Sequence, residues 1–176
     1  QRDHVLVGKE RHDVGRPYNQ GYPIRGIVKG NVLYLRNFEN GRWPAGNPET
    51  GYLNCDGSPT KTLLLNQRRK GEDKYWSLNF GKRPISEMYA LWNDPDCVRN
   101  LSGMREYQNL ERSLKSQLLG ELKEQRDPRV YDRGFIFEKY PFVGDWNDFY
   151  ERYRSGKPTP RTGWVNQNDY ERRPLD

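Results

Sequence analysis

Between residues 8 and 16 the chain reads GKERHDVGR, which places Lys9, Glu10, Arg11, His12, Asp13 and Arg16 within nine positions. Lys9, Arg11, His12 and Arg16 are the side chains that would converge on an anionic ligand. Arginine offers a planar fork that meets an oxyanion through two parallel hydrogen bonds. A histidine changes protonation state near neutrality. Glu10 or Asp13 would accept the hydroxyl groups of a sugar. A well-solvated loop has the same composition, and spacing does not separate the two. Trp43, in RWPAGNP at 42–48, has a similar double reading. It suits a stacking platform for a sugar ring, and equally a ring that pins its loop to the core.

Other local motifs carry less. NCDGSPTK at 54–61 sets a cysteine before Gly, Ser, Pro and a basic residue. It lacks the G-x-x-x-x-G-K-[ST] pattern of a phosphate loop. A nucleophilic cysteine needs a base close by, and only His4 or His12 could supply one through the fold. A tight turn at Asp56-Gly57 and Ser58-Pro59 is expected. Two histidines and two cysteines without paired spacing do not make a zinc site. No D-x-D-x-D-G loop for calcium occurs. Basic and aromatic residues interleave at 66–76 and 150–157, but acidic residues interrupt both stretches, so nucleic acid is not the expected partner.

These residues need a scaffold, and the composition allows one. Five Trp, twelve Tyr and six Phe among 176 residues argue for a packed core rather than disorder. A net charge of +6 favours anionic partners. No apolar run approaches the ~20 residues of a membrane helix, and no signal peptide is read. The opening QRDHVLVG reads as a chain entered in mid-strand, which predicts a piece of something longer. Whether Cys55 and Cys97 pair is open.

Residues 4–7, 22–28 and 31–38 read as strands, the last two joined by a tight turn at Gly30-Asn31. Residues 40–84 read as loop, with one apolar run at 62–65, and 87–96 as a strand entering a turn. Val98, Leu101, Met104, Leu110, Leu114, Leu118 and Leu122 then recur at helical spacing, with a Glu111–Lys115 pair along the helix and Asp127-Pro128 ending it. Trp146, Phe149, Tyr150 and Tyr153 predict a short aromatic helix closed by Gly156. The last twenty residues read as an extended strap.

Taken in order, HVLVGKERHDVGR, GYPIRGIVKGNVLYLRNF with RWPAGNP, EMYALWNDPDCVRNLS and the leucine-periodic helix ending LKEQRDPRV resemble the C-terminal part of the alkaline-phosphatase-like sulfatases. The nearest branch is that of heparan N-sulfatase and its bacterial relatives, and the likeness covers about residues 4–140. It implies a small antiparallel sheet of about four strands packed against a long helix, and the elements read above make the whole an α+β fold with long loops and an aromatic-rich tail. The chain is expected to divide into a subdomain at 1–128 and an aromatic-rich tail at 129–176 that wraps it, the part beyond about 140 lying outside the likeness.

In such enzymes a formylglycine and a calcium ion belong to a large N-terminal catalytic domain. CDGSPTK does not match that catalytic motif, so no catalytic or metal role passes to this chain. What the resemblance implies is recognition of a sulfated, glucosamine-type sugar by Lys9, Glu10, Arg11, His12, Arg16 and Trp43, beside that domain as partner. The setting would be periplasmic or secreted, or lysosomal in a eukaryote. A stand-alone module binding acidic polysaccharide is the alternative.

Overall fold

The computed structural model describes residues 2–173 and 175. The chain forms two compact units. A sheet unit gathers Gln1–Glu10, Pro23–Glu39 and Pro84–Phe137, and a loop unit gathers Arg11–Tyr22, Asn40–Arg83 and Glu138–Asp176. The units interleave along the chain, so residues before and after position 128 contribute to both.

The sheet unit is α+β. Strands β1 (His4–Lys9), β2 (Ile24–Lys29), β3 (Val32–Asn37) and β4 (Ser86–Ala90) make one antiparallel sheet in the order β1-β2-β3-β4. Lys29 pairs with Val32, which leaves Gly30 and Asn31 as the two-residue turn. Gly30 stands at φ +55°, a conformation that costs glycine least. Leu6, Ile27, Tyr34 and Met88 line up across the sheet in one row. Onto that face the long helix α3 (Gln108–Glu124) lays Leu114, Leu118 and Leu122, one turn apart. Each fully buried leucine contributes about 1.5–3 kcal/mol.

Helix α3 begins later than the leucine spacing predicts. Val98 is 54% exposed, and residues 98–104 are not helical. The reason is local side-chain bonding that competes with the helix. Asp94 accepts from the Val98 and Arg99 N–H groups at 2.9 Å each. Asn100 accepts from Met88 N at 2.9 Å and Ser102 N at 3.0 Å. Leu101 still reaches the core, because its N–H donates to Met88 O. Glu111, expected to pair with Lys115, turns its carboxylate to Ser102 Oγ at 2.7 Å and Gly103 N at 2.8 Å.

In the loop unit, the stretch read as loop at 40–84 contains two helices, α1 (Pro59–Arg69) and α2 (Lys74–Phe80). Ser58 caps α1 by accepting from Lys61 N at 3.1 Å, and Pro59 takes the first helical position. The apolar stripe of α1 is hidden in the sequence because its two buried residues are Lys61 and Leu65. Leu65 packs with Tyr52 and Phe80, and Trp76 flanks them. A second cluster joins Val14, Leu53 and Phe149 to Trp146 and Trp164. Helix α4 (Phe149–Arg154) carries the aromatic face, with Trp146 just ahead of it, and ends at Gly156, φ +70°. The final segment is anchored: a 3₁₀ turn at Gln167–Asp169 buries Asp169 completely.

Candidate functional site

Lys9 and Glu10 belong to the sheet unit, and Arg11, His12, Arg16 and Trp43 to the loop unit. Glu10 is half-buried inside a cluster of charges. It accepts from Arg25 Nη2 at 2.6 Å and from Arg129 Nη2 at 2.7 Å. Arg25 also donates through Nε to Asp127 at 2.6 Å, and Arg129 reaches Glu39 at 3.4 Å. The Phe137 ring lies 5.9 Å from the Arg25 guanidinium carbon and 5.5 Å from that of Arg129. Gly134 is needed here, because a Cβ at that position would overlap the Arg129 guanidinium. The cluster ties the end of β1 to β2 and to the chain leaving α3. Lys9 is exposed, and its carbonyl accepts from Arg25 Nη1 at 3.1 Å.

Arg25, Asp127 and Arg129 did not stand out in the sequence as site residues. Asp127-Pro128 signalled only a helix stop. In fact Asp127 also caps the following 3₁₀ turn by accepting from Arg129 N at 2.8 Å.

In the loop unit, Arg11 donates to Asn19 O at 3.4 Å and Tyr140 O at 2.6 Å, and its guanidinium lies 4.0 Å from the Phe142 ring centre. Burial draws its pKa below the ordinary arginine value, and the Glu138 charge works the other way. Arg16 is 1% exposed. Its Nε donates to Trp43 O and its Nη2 to Pro44 O, each at 2.8 Å, while Nη1 is buried without a hydrogen-bond partner among the described residues. Burial, and secondarily the Arg42 charge, pulls the Arg16 pKa down to about 10. The group therefore remains a cation at neutral pH.

Arg16 and Trp43 are thus brought together, and Trp43 pins its loop. The indole is 7% exposed, 6.0 Å from the Trp76 ring, with Lys82 Nζ 4.9 Å from its centre. A sugar has no face of Trp43 to stack on in this arrangement. His12 is exposed and makes no hydrogen bond among the described residues. Asp13, beside it, accepts from the Val14 N–H at 2.7 Å, and burial raises its pKa.

The NCDGSPTK motif serves as the start of a helix. Ser58 is its cap, and Lys61 is a buried donor to the carbonyls of Gly51 at 2.8 Å, Tyr52 at 3.4 Å and Cys55 at 2.6 Å. Cys55 and Cys97 are both free, and burial pushes both thiols upward, away from the thiolate a nucleophile requires. Among the described residues no cluster of His, Cys, Asp or Glu is placed to hold a metal ion, and no helix is long and apolar enough to cross a membrane. No protein-family model matches the chain, and no curated protein matches it.

Proposed function

We propose that the chain is the C-terminal, substrate-recognising subdomain of a sulfatase acting on sulfamate or sulfate ester groups of glucosamine-type, heparan-like sugars. One observation carries the reading. The motifs that resemble the sulfatases fall in order on successive elements of one fold: YPIRGI on β2, NVLYLRN on β3, EMYAL on β4, and the leucine-rich segment on α3. A four-stranded antiparallel sheet backed by one long helix is the architecture that resemblance implies.

In this reading an N-terminal catalytic domain is the partner, and its formylglycine and calcium supply the nucleophile and the charge that offsets the sulfuryl oxygens. The present chain is catalytically silent by itself and acts outside the cytoplasm, in the periplasm or after secretion. Its six candidate residues play different parts, and Trp43 serves only to pin its loop. His12, exposed in the loop unit, meets the sugar and its anionic substituents, while Lys9 belongs to the sheet unit and has a partner there already. Arg11 and Arg16, engaged within the loop unit, hold the loop that presents His12, and Glu10, engaged within the sheet unit, holds the end of β1.

The test is desulfation of N-sulfated and O-sulfated glucosamine by the full-length enzyme and its His12→Ala variant. Loss of a contact made equally in ground and transition states raises KM and leaves kcat nearly unchanged. Unchanged kcat and KM for His12→Ala would remove the recognition role. Inertness of the intact protein towards both sugars would remove the sulfatase reading.

A further inference from the structure

Along one side of the loop unit, helix α1 and the final segment line two adjoining open depressions of about 830 and 750 Å³ that share Asn66, Gln167 and Asn168 in their walls. Both fall within the ~300–1,000 Å³ usual for ligand sites. The larger is lined also by Arg69, Arg172, Arg173, Tyr153 and Tyr170, and the smaller by Asn166. None of these belongs to the loop that carries His12.

The side chains divide into fixed and available groups. Arg69 is a strut. It donates through Nη1 to Asn66 Oδ1 at 3.0 Å and Asn168 O at 2.9 Å, and its Nη2 lies 3.2 Å from Glu171. Glu171, the one carboxylate in the lining among the described residues, is further offset by Arg68 at 3.9 Å. The floor is held by buried Asp169, which accepts from Thr62 Oγ1 at 2.8 Å and from Asn166 N at 3.2 Å. Tyr170 packs against Tyr153 with ring centres 6.1 Å apart. By contrast, Arg172 and Arg173 are exposed and form no ion pair among the described residues, and the side-chain amides of Gln167 and Asn168 make no hydrogen bond among them.

We infer that this groove is a binding site for an anionic oligosaccharide, sulfated or uronate-bearing. Its exposed arginines take the acidic substituents and its exposed amides take the hydroxyl groups, above tyrosine rings that pack on each other. Guanidinium forks match sulfate and carboxylate oxygens. An amide presents a donor and an acceptor together, as a sugar hydroxyl requires. Nucleic acid is the less suited ligand, because the acidic and basic residues of the chain alternate and leave no long cationic stripe.

The test reads binding by the 176-residue chain and involves no desulfation, so it stands or falls separately from the sulfatase reading. The probes are a heparan-type hexasaccharide carrying N- and O-sulfates and a single-stranded thymidine hexanucleotide, both titrated calorimetrically at low salt. The chain is expected to bind the saccharide saturably and more tightly than the nucleotide. Arg172→Gln with Arg173→Gln weakens saccharide binding roughly tenfold, as expected for partly exposed charge-assisted contacts. Gln167→Ala with Asn168→Ala weakens it roughly threefold. All four residues are exposed, so superimposable melting curves are expected of both double variants. Absence of saturable saccharide binding, unchanged affinity in the arginine variant, or a nucleotide bound as tightly as the saccharide overturns the inference.

Discussion

In the sheet unit, the shielded guanidinium groups of Arg25 and Arg129 face carboxylates: Glu10 between them, Asp127 beside one and Glu39 beside the other. In the loop unit, the two most deeply buried cations, Lys61 and Arg16, and the half-buried Arg11 face backbone carbonyls, whereas Arg42 pairs with Glu138. Lys61 serves Gly51, Tyr52 and Cys55, Arg16 serves Trp43 and Pro44, and Arg11 serves Asn19 and Tyr140. The sheet satisfies most of its carbonyls through its own ladder, so its cations pair chiefly with acids, although Arg25 Nη1 also donates to Lys9 O and Ile24 O. A long folded loop has no ladder, and its buried carbonyls need donors from elsewhere. Lysine and arginine carry several N–H groups on one stem, so a single side chain can satisfy several carbonyls.

The two arrangements bear the cost of burial differently. Burial works against the Arg25 cation, but its bonds to Asp127 and Glu10 leave its pKa above the ordinary value. Lys61 and Arg16 sit below theirs, because burial outweighs the opposing charges near them. Asp169, 3.6 Å from Lys61 Nζ, offsets only part of that penalty.

The sharpest way to break this contrast is to remove one cation from each unit. Lys61→Met leaves Asp169 buried without its counter-charge and three carbonyls without their donor, and should cost about 3–5 kcal/mol in urea denaturation. Adding Asp169→Asn should recover little, because the carbonyls stay unserved. Arg129→Met should cost less, about 2–3 kcal/mol, since Glu10 keeps Arg25. There, adding Glu10→Gln should recover a larger share, because the carboxylate was the partner. Equal recovery in both double-mutant cycles would show that the two units do not differ in this way.

Arg16 offers a finer test. Arg16→Lys keeps the charge but replaces the fork that spans Trp43 O and Pro44 O with a compact ammonium. The expected loss is about 1–2 kcal/mol, with quenching of tryptophan fluorescence altered as the Trp43 loop loosens. A lysine variant as stable as the parent would mean that charge alone suffices and carbonyl bridging does not matter.

The same contrast explains which parts of the molecule were legible in the sequence. In the sheet unit, residues 22–28 and 31–38 announced two strands, Gly30-Asn31 announced their turn, and Leu110 to Leu122 announced α3, because apolar spacing and turn chemistry report directly on a ladder and a helix face. Helix α1 was missed because one of its two inward residues is Lys61, which every pattern rule counts as outward. Arg25 was passed over for a like reason. It lies on the same face of β2 as Ile27 and Lys29, so that face does not read as apolar. For the candidate site, sequence identified the residue types at 9–16 but not their partners. Glu10 meets Arg129, 119 positions away, and no local spacing encodes such a contact.

The smallest expected effect concerns the exposed end of the sheet unit, where His4 faces two carboxylates. Its Nδ1 lies 2.7 Å from Asp3 and its Nε2 2.9 Å from Glu121, while Lys29 approaches Asp3 at 3.0 Å and Gln117 bonds Glu121 at 2.9 Å. The Asp3 bond, followed by the Glu121 bond, raises the His4 pKa above its ordinary 6.5. In return, the His4 bond lowers Asp3 to about 2 and holds Glu121 below its ordinary 4.5. A histidine raised in the folded state contributes fully below 6.5, where both states are charged, and loses that contribution as pH climbs through the folded value. The depressed carboxylates contribute above their ordinary values, and lose that contribution as pH falls towards the folded ones. This corner should therefore be tightest from about pH 4.5 to 6.5. Thermal melting of the parent should decline slightly from pH 6.5 to 8.5, and His4→Gln should flatten that decline. If the variant declines as steeply as the parent, the histidine is not what links β1 to α3 through charge, and the contrast between acid-paired and carbonyl-paired cations stops short of the sheet unit's solvent-exposed end.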